Sequence, residues 1–231
     1  TTECGYTVTP QSQQNEGSAT ATDANKELYW GNETDEHTFY GGFGEDITIE
    51  DQATGKVKCK YNKVQSLITN MGDQTKWSNI NESDPTSMKQ SYMVAYAKTA
   101  PVENLELHFK PIMTVLELVV KGMDATYGAA NAQDIYLWEV AVTVPGAKSV
   151  LDDNSYFHFD IDETAWPDGK IPGVATLYPK QQDDVYKFRW GTIDNPNPIR
   201  LKRGESVTVT LHLPPMVIDT NNPVTVSVKS A

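Results

Sequence analysis

The stretch ENLELHFKPIMTVLELVVK, residues 103–121, decides how the chain around it is interpreted. Its first part carries alternating apolar residues, which lie on one face of a strand: Leu105, Leu107 and Phe109. Beyond Pro111 the apolar residues change parity: Ile112, Leu116, Leu118 and Val120. Because side chains alternate across a strand, this change turns the buried face over. Pro111 cannot donate a ladder hydrogen bond, so we expect a bulge or a break there.

Two interpretations of this stretch are open. It is either one bulged strand inside a single sandwich or a seam, where the last strand of one β-domain runs into the first strand of the next. Patterned β-sequence of similar length lies on both sides, which favours the seam. With 231 residues the chain is long enough for two domains that each bury a core. We therefore predict an all-β fold with Greek-key sandwiches at residues 1–108 and 109–231.

Strand patterns recur along the chain, with turn residues between most of them. The longest predicted strand is 135–144, with one face made of Tyr136, Trp138, Val140, Val142 and Val144. The cleanest alternation is in residues 206–213, and a last short strand carries Val224, Val226 and Val228. Aromatic residues predict short strands at 28–30 and 37–40. The polar residues 11–27 predict a loop, and residues 64–71 fit either a short helix, which we favour, or another strand.

Composition excludes one class of partner. The chain has 31 acidic and 19 basic residues, a formal net charge of -12, and only three arginines. Nucleic-acid binding requires clustered lysine and arginine to displace counterions, so we expect no nucleic-acid partner.

Cysteine usage and the first residues bear on export. Cys4 and Cys59 are the only cysteines, and they either form one disulfide or remain free thiols. No run of 18 apolar residues predicts a transmembrane helix. The first ten residues have no apolar signal core, so we expect any export signal to have been removed already.

No motif indicates catalysis. The four histidines lie on separate predicted strands without metal-site spacing, and His158 and His212 fall on polar faces, where we expect solvated side chains. The acidic groups at 152–153 and 160–163 lack the spacing of an EF-hand loop. We predict no enzyme activity, no cofactor and no metal. Trp77 and Trp166, both in predicted loops, either stack on sugar rings or anchor their loops to the sandwich.

Three segments together resemble the fimbrillin-like (Mfa-like) surface proteins of Bacteroidetes. The first is LYW at 28–30 with HTFYGGF at 37–43, similar to the family's tryptophan followed by an aromatic strand. The second and longest is SYMVAYAKTAPVENLELHFKPIMTVLELVVK at 91–121. The third is LKRGESVTVTLHLPP at 201–215 with VTVSVKS near the end. One departure is Pro111, which stands where the family often has histidine.

The resemblance implies two transthyretin-like β-sandwiches in tandem and export by the lipoprotein route. It also implies a place at the cell surface, in a fimbrium or anchored at the outer membrane. Subunits of the family assemble by strand exchange, in which a neighbour's extended segment pairs with an open edge and fills its pockets. Val224, Val226 and Val228 alternate as such a donor strand requires, although an ordinary edge strand of the chain's own sandwich is the alternative.

We therefore predict a structural or adhesive fimbrial subunit whose partners are other fimbrial subunits, in a homo- or hetero-polymer. An adhesive subunit would also bind a host or bacterial surface protein or glycan. The alternative function is a surface glycan-binding lipoprotein that presents Trp77 and Trp166 to polysaccharide.

Overall fold

The structure is a computed structural model that describes residues 4–10, 17–24, 28–32, 34–67, 91–122, 134–166, 170–191, 193–194, 196–216, 221 and 223–230. In these ranges the regular elements are β-strands and a short 3-10 helix, Glu163–Ala165. The predicted all-β class is confirmed. Among these residues there is no helix long and apolar enough to cross a membrane.

The strands follow one another along the chain as β1 (Tyr6–Pro10), β2 (Gly17–Ala21), β3 (His37–Phe43), β4 (Ile47–Asp51), β5 (Lys56–Lys60), β6 (Val64–Leu67), β7 (Met93–Thr99), β8 (Lys110–Pro111), β9 (Thr114–Lys121), β10 (Ile135–Val144), β11 (Lys148–Ser149), β12 (Tyr156–Ile161), β13 (Gly173–Ala175), β14 (Tyr178–Pro179), β15 (Asp184–Trp190), β16 (Ile199–Leu201), β17 (Ser206–Leu213) and β18 (Thr225–Ser230).

These strands form several sheets. The largest has the order β16-β10-β15-β6, and β18 also pairs with β10. A second sheet has the order β13-β12-β5-β4, a third β3-β7-β8, and β17 pairs with β9 alone. The pairing of β15 with β6 is parallel, whereas β10 pairs with β15, β16 and β18 in antiparallel fashion. This arrangement of antiparallel sheets is that of a β-sandwich-like protein.

The chain forms two compact units, residues 1–39 with 97–107 and residues 40–96 with 108–231. In the smaller unit, β1 and β2 form a hairpin, and the Trp30 indole packs edge-on against His37 and Phe39 at ring centroid distances of 5.5 and 5.3 Å. Trp30 Nε1 donates a hydrogen bond to the carbonyl oxygen of Val102 at 3.2 Å.

The larger unit has one hydrophobic core to which both halves of the sequence contribute. On β5 and β12 alternate side chains point inward and are fully buried, including Val57, Cys59 and Phe157. The core also includes Tyr92, which immediately precedes β7, and Leu211 from β17. The pairing of β5 with β12 joins residues on either side of position 108. The predicted sandwiches of residues 1–108 and 109–231 stay a prediction.

The stretch around Pro111 breaks where expected, because β8 ends at Pro111 and β9 begins at Thr114. The strand expected before it is wrong: residues 101–109 form no strand, and none of their apolar side chains is fully buried. Beyond the break the predicted inward residues are half buried against the core: Leu116, Leu118 and Val120. The alternate residues Val115 and Val119 are exposed.

Three short elements differ from the sequence predictions. Residues 64–67 are strand β6 rather than helix, because they pair with β15, and residues 68–71 lie outside the described residues. Residues 17–21 of the predicted loop form β2, since β1 provides a pairing partner. Residues 28–30 form no strand. Cys4 and Cys59 are free thiols, and burial raises the pKa of the Cys59 thiol.

The strand at 135–144 is confirmed, but its predicted face is wrong at one end. The register of β10 against β18 shifts between Leu137 and Glu139, so that Trp138 is the extra residue of a β-bulge. The bulge turns the faces over: Leu137, Val140 and Val142 are buried, and Tyr136 is about half exposed.

Candidate functional site

The C-terminal strand β18 lies at the edge of the largest sheet. Six antiparallel residue pairs join it to β10, from Thr143 with Thr225 to Leu137 with Ser230. All six residues of β18 are exposed. Within the described part of the chain, no other strand pairs with β18, so its second edge is open.

The valines of β18 have apolar neighbours on one side only. Val226 pairs with Val142 and Val228 with Val140, and directly opposed residues point to the same face of a sheet. Val140 and Val142 are fully buried, whereas Val226 and Val228 are 48% and 50% exposed. The core therefore ends beneath β10, and β18 is held chiefly by its backbone pairing. Val224, the third residue of the predicted donor, lies before β18 and packs partly against the core.

The outer face of β10 next to β18 carries an ionic and aromatic cluster. Glu139, 7% exposed, pairs with Arg189 (Nε to Oε2, 2.5 Å) and with Lys187 (Nζ to Oε1, 3.5 Å). Burial raises the pKa of Glu139, but these two cations outweigh it and hold the pKa below its usual value. Lys229 Nζ lies 4.7 Å from the centroid of the bulged Trp138 ring, which ties β18 to this face.

A second open edge belongs to β9. The whole of β9, eight residues long, pairs with β17, from Thr114 with Leu213 to Lys121 with Ser206. Within the described ranges, no strand pairs with its other edge. Val115 and Val119 on the outer face are 58% and 53% exposed. An extended edge with apolar side chains on both faces is a template for pairing with another strand.

An aromatic cluster surrounds Glu163 at the start of the 3-10 helix. Tyr40 donates from Oη to Glu163 Oε1 at 2.5 Å, and Tyr96 donates from Oη to Oε2 at 3.2 Å. The two tyrosine rings are 5.6 Å apart. Partial burial, followed by the bond to Glu163, raises the pKa of Tyr40. The cluster offers aromatic rings beside a carboxylate, a combination that suits a sugar ring with its hydroxyl groups.

Trp166 lies beside this cluster and is half buried. Its Nε1 donates to the carbonyl oxygen of His108 at 3.1 Å, and its ring meets Tyr96 edge-on at 5.8 Å. Lys110 Nζ lies 5.3 Å from the ring centroid and donates to the carbonyl oxygen of Ala165 at 2.7 Å. The indole thus anchors its loop while part of it reaches solvent. Trp77, the other predicted stacking residue, lies outside the described residues.

Two histidines predicted as solvated are buried, so that prediction is wrong. His158 is 8% exposed because Glu50 and Asp152 enclose its ring, with Nδ1 2.7 Å from Glu50 Oε2 and Nε2 3.4 Å from Asp152 Oδ2. His212 is 6% exposed, and burial lowers its pKa. Strand alternation placed both on outer faces correctly, but neighbouring elements cover those faces.

A buried carboxylate was missed by sequence reasoning. Asp184 at the start of β15 is 5% exposed and accepts hydrogen bonds from Lys63 Nζ at 2.7 Å and Lys180 Nζ at 3.1 Å. The arrangement is an internal ion cluster that joins β15 to the segment before β6. No group of three or more His, Cys, Asp or Glu side chains suited to a metal ion occurs in the described ranges.

Comparisons of the chain with protein-family models, with curated proteins and with solved structures found no match. The resemblance to the fimbrillin-like proteins therefore stays a prediction. The candidate site is defined by geometry alone: an exposed terminal strand on β10, the open edge of β9 and the aromatic cluster at Glu163.

Proposed function

We propose that the chain is a non-enzymatic structural or adhesive subunit of bacterial cell-surface fimbriae, which is exported and assembles with other subunits through β-strand exchange. The single observation that supports this most is β18, a terminal strand exposed at every residue and held at one edge. Its half-exposed valines face the same way as the buried valines of β10. The tandem transthyretin-like sandwiches that the resemblance implies are the finer form of this architecture, and the antiparallel sheets support its coarser, β-sandwich-like form.

Strand exchange suits this geometry for a physical reason. A donor strand contributes main-chain hydrogen bonds for affinity and alternate apolar side chains for fit. In β18 the backbone already pairs in this way, and Val226 and Val228 remain half exposed. When a neighbouring subunit buries apolar side chains that were in contact with water, the assembled state is stabilised. The stabilisation is about 25 cal/mol for each Å² of apolar surface removed from water.

Removal of residues 223–231 tests the proposal. The full chain should form concentration-dependent polymers that survive heating in SDS, and the truncated chain should stay monomeric with a cooperative melting transition. Light scattering after size exclusion, together with gel electrophoresis of heated and unheated samples, measures both. The double variant Val226→Ser/Val228→Ser should weaken assembly, and Ser227→Ala on the opposite face is its matched control.

Two results would contradict the proposal. If the truncated chain polymerises as the full chain does, β18 is not the donor. If truncation unfolds the protein, β18 is a structural edge strand of its own subunit.

A second candidate function is glycan binding at the aromatic cluster, favoured by Tyr40, Tyr96 and Trp166 beside Glu163. Binding on a glycan array should be lost in Trp166→Ala and retained in Tyr29→Ala, which removes a ring that is 79% exposed elsewhere on the chain. A glycan signal equal in both variants would dismiss this function. Melting temperatures of the variants separate lost binding from lost folding.

A further inference from the structure

We propose that the open edge of β9 is the acceptor for β18 of a second copy of this chain, in one antiparallel register. This inference rests on the proposed assembly function and names the surface that receives the strand. Three observations support it: the lengths and exposure of the two strands, the pattern of their side chains and their charges.

The first observation is that both strands have a free edge of matching length. Strand β9 has eight residues and pairs only with β17 in the described part of the chain, and β18 has six and pairs there only with β10. Strands of six and eight residues extend for roughly 20 and 26 Å, so β18 fits within the length of β9. Since the second edge of β18 is open, it can begin to pair with a neighbour before it leaves β10 in the exchange.

The second observation is the match of apolar side chains. An antiparallel alignment that sets Val228 opposite Leu118 also sets Val226 opposite Val120. Leu118 and Val120 are on the face of β9 that packs against the core, and they are only half buried there. Their incomplete burial leaves an apolar surface at the edge of the core. The two valines of β18 would extend this surface, so that the side chains of β9 and of β18 bury one another.

The third observation is the charge pattern in the same register. Lys229 falls opposite Glu117, and both side chains point to the outer face. Both side chains are exposed, and Lys229 would exchange its contact with the Trp138 ring for one with Glu117 across the contact. Opposite charges across neighbouring strands are favourable by roughly 0.2–1 kcal/mol. The parallel alternative that joins Lys229 to Glu117 sets Val226 opposite Thr114 instead of an apolar residue, so the antiparallel register is favoured.

The contact would be heterologous, because β18 of one copy meets β9 of the next while its own β9 stays open. Head-to-tail contacts of this kind continue indefinitely unless the rotation between copies closes a ring. The pairing of these two edges thus provides a repeat unit for a polymer of identical subunits. It also places Ser227 beside Val119, whose exposure on an open edge invites aggregation otherwise.

Cysteine cross-linking between two populations tests the register. In a Cys4→Ser background, one population carries Ser227→Cys and the other Val119→Cys, two outer-face positions that the register places opposite each other. Native Cys59 is fully buried and stays out of the reaction. We expect a disulfide-linked dimer only when the two populations are mixed under mild oxidation. Val115→Cys in place of Val119→Cys is the matched control, on the same face but four residues, or about 13 Å, out of register.

Charge reversal provides an independent measurement. Glu117→Lys and Lys229→Glu should each weaken assembly about two- to fivefold, and the double reversal should restore it. Restoration distinguishes a direct contact from two separate local effects.

The outcomes distinguish failure of the β9 acceptor from failure of the proposed assembly function. If the wild type assembles but Ser227→Cys fails to link to Val119→Cys, or links equally to Val115→Cys, the β9 acceptor is overturned and the proposed function stands. Assembly that is unaffected by the single reversals leads to the same conclusion. If the wild type forms no polymer at any concentration, both are overturned.

Discussion

At the residue scale, Asp184 is the charge whose removal should cost the most stability. Its carboxylate lies between Lys63 and Lys180, and the side chains of Asp184 and Lys180 are almost fully buried. Asp184→Asn leaves the buried ammonium without a counter-charge, which typically costs about 3 kcal/mol or more. Urea unfolding at pH 7 measures the loss. Asp134→Asn, which breaks the exposed pair with Arg200, is the control and should cost less than about 1 kcal/mol.

The same residue gives a pH dependence with a definite sign. Burial raises the pKa of Asp184, but the bonds from Lys63, Ser149 and Lys180 outweigh it and hold the pKa below its usual value. The carboxylate therefore contributes stability above the unfolded-state pKa of about 3.9, and that contribution is lost as pH falls through the lower folded-state pKa. The stability difference between wild type and Asp184→Asn should shrink in acid. A difference independent of pH would show that lost packing, not charge, is responsible.

Some contacts of single residues could not be predicted from the sequence. Alternation assigns His158 to an outer face, but only the folded chain brings Glu50 and Asp152 around its ring, from positions 108 residues before and 6 residues before it. The ion partners of Asp184 are missed for the same reason, since Lys63 is 121 residues away. Polarity along a strand predicts the face of a side chain but not what covers that face.

At the element scale, strands with their own alternating pattern were predicted well. Strand β17 has the predicted bounds, and its inward residues Val207, Val209, Leu211 and Leu213 are all buried. Strand β2 was missed and β6 was only the less favoured alternative, because their residues carry little apolar pattern. Pairing with β1 and β15 makes them strands. The bulge at Trp138 was missed because both parities of β10 are apolar there, so alternation has no contrast to detect.

The alternation of β9 and β17 predicts that two similar side-chain substitutions by alanine lower the free energy of unfolding by unequal amounts. Leu211 on β17 is fully buried, so Leu211→Ala should lower the free energy of unfolding by about 2–5 kcal/mol through lost burial and a cavity. Val119→Ala on the outer face of β9 should change it by less than about 0.5 kcal/mol. Chemical denaturation of both variants gives the comparison. If both substitutions lowered the free energy of unfolding equally, the outer face of the two-stranded sheet of β9 and β17 would be covered in solution.

At the scale of the whole molecule, the break at Pro111 shows which features local sequence indicates and which it does not. Local sequence correctly indicates the break and the inward face of β9, because the break depends on proline and the face on alternation. It does not indicate which strands share a sheet, because β-pairing can be long-range: one partner of β5 is the neighbouring β4, but the other, β12, lies about 100 residues further on. Patterned sequence on both sides of a break is therefore compatible with two domains and with one shared core.

A fragment experiment distinguishes these two possibilities. Val57, Tyr92 and Val94 are fully buried in the core that also contains Phe157 and Leu211. Expression of residues 109–231 alone would expose β12 where β5 had covered it and leave a large cavity in the core. We expect this fragment to lack a cooperative melting transition and dispersed amide resonances. We expect the full chain to unfold the core from both halves in one step. A fragment that folds by itself would establish the tandem sandwiches predicted from the sequence and would place the core contacts between β5 and β12 at a domain interface.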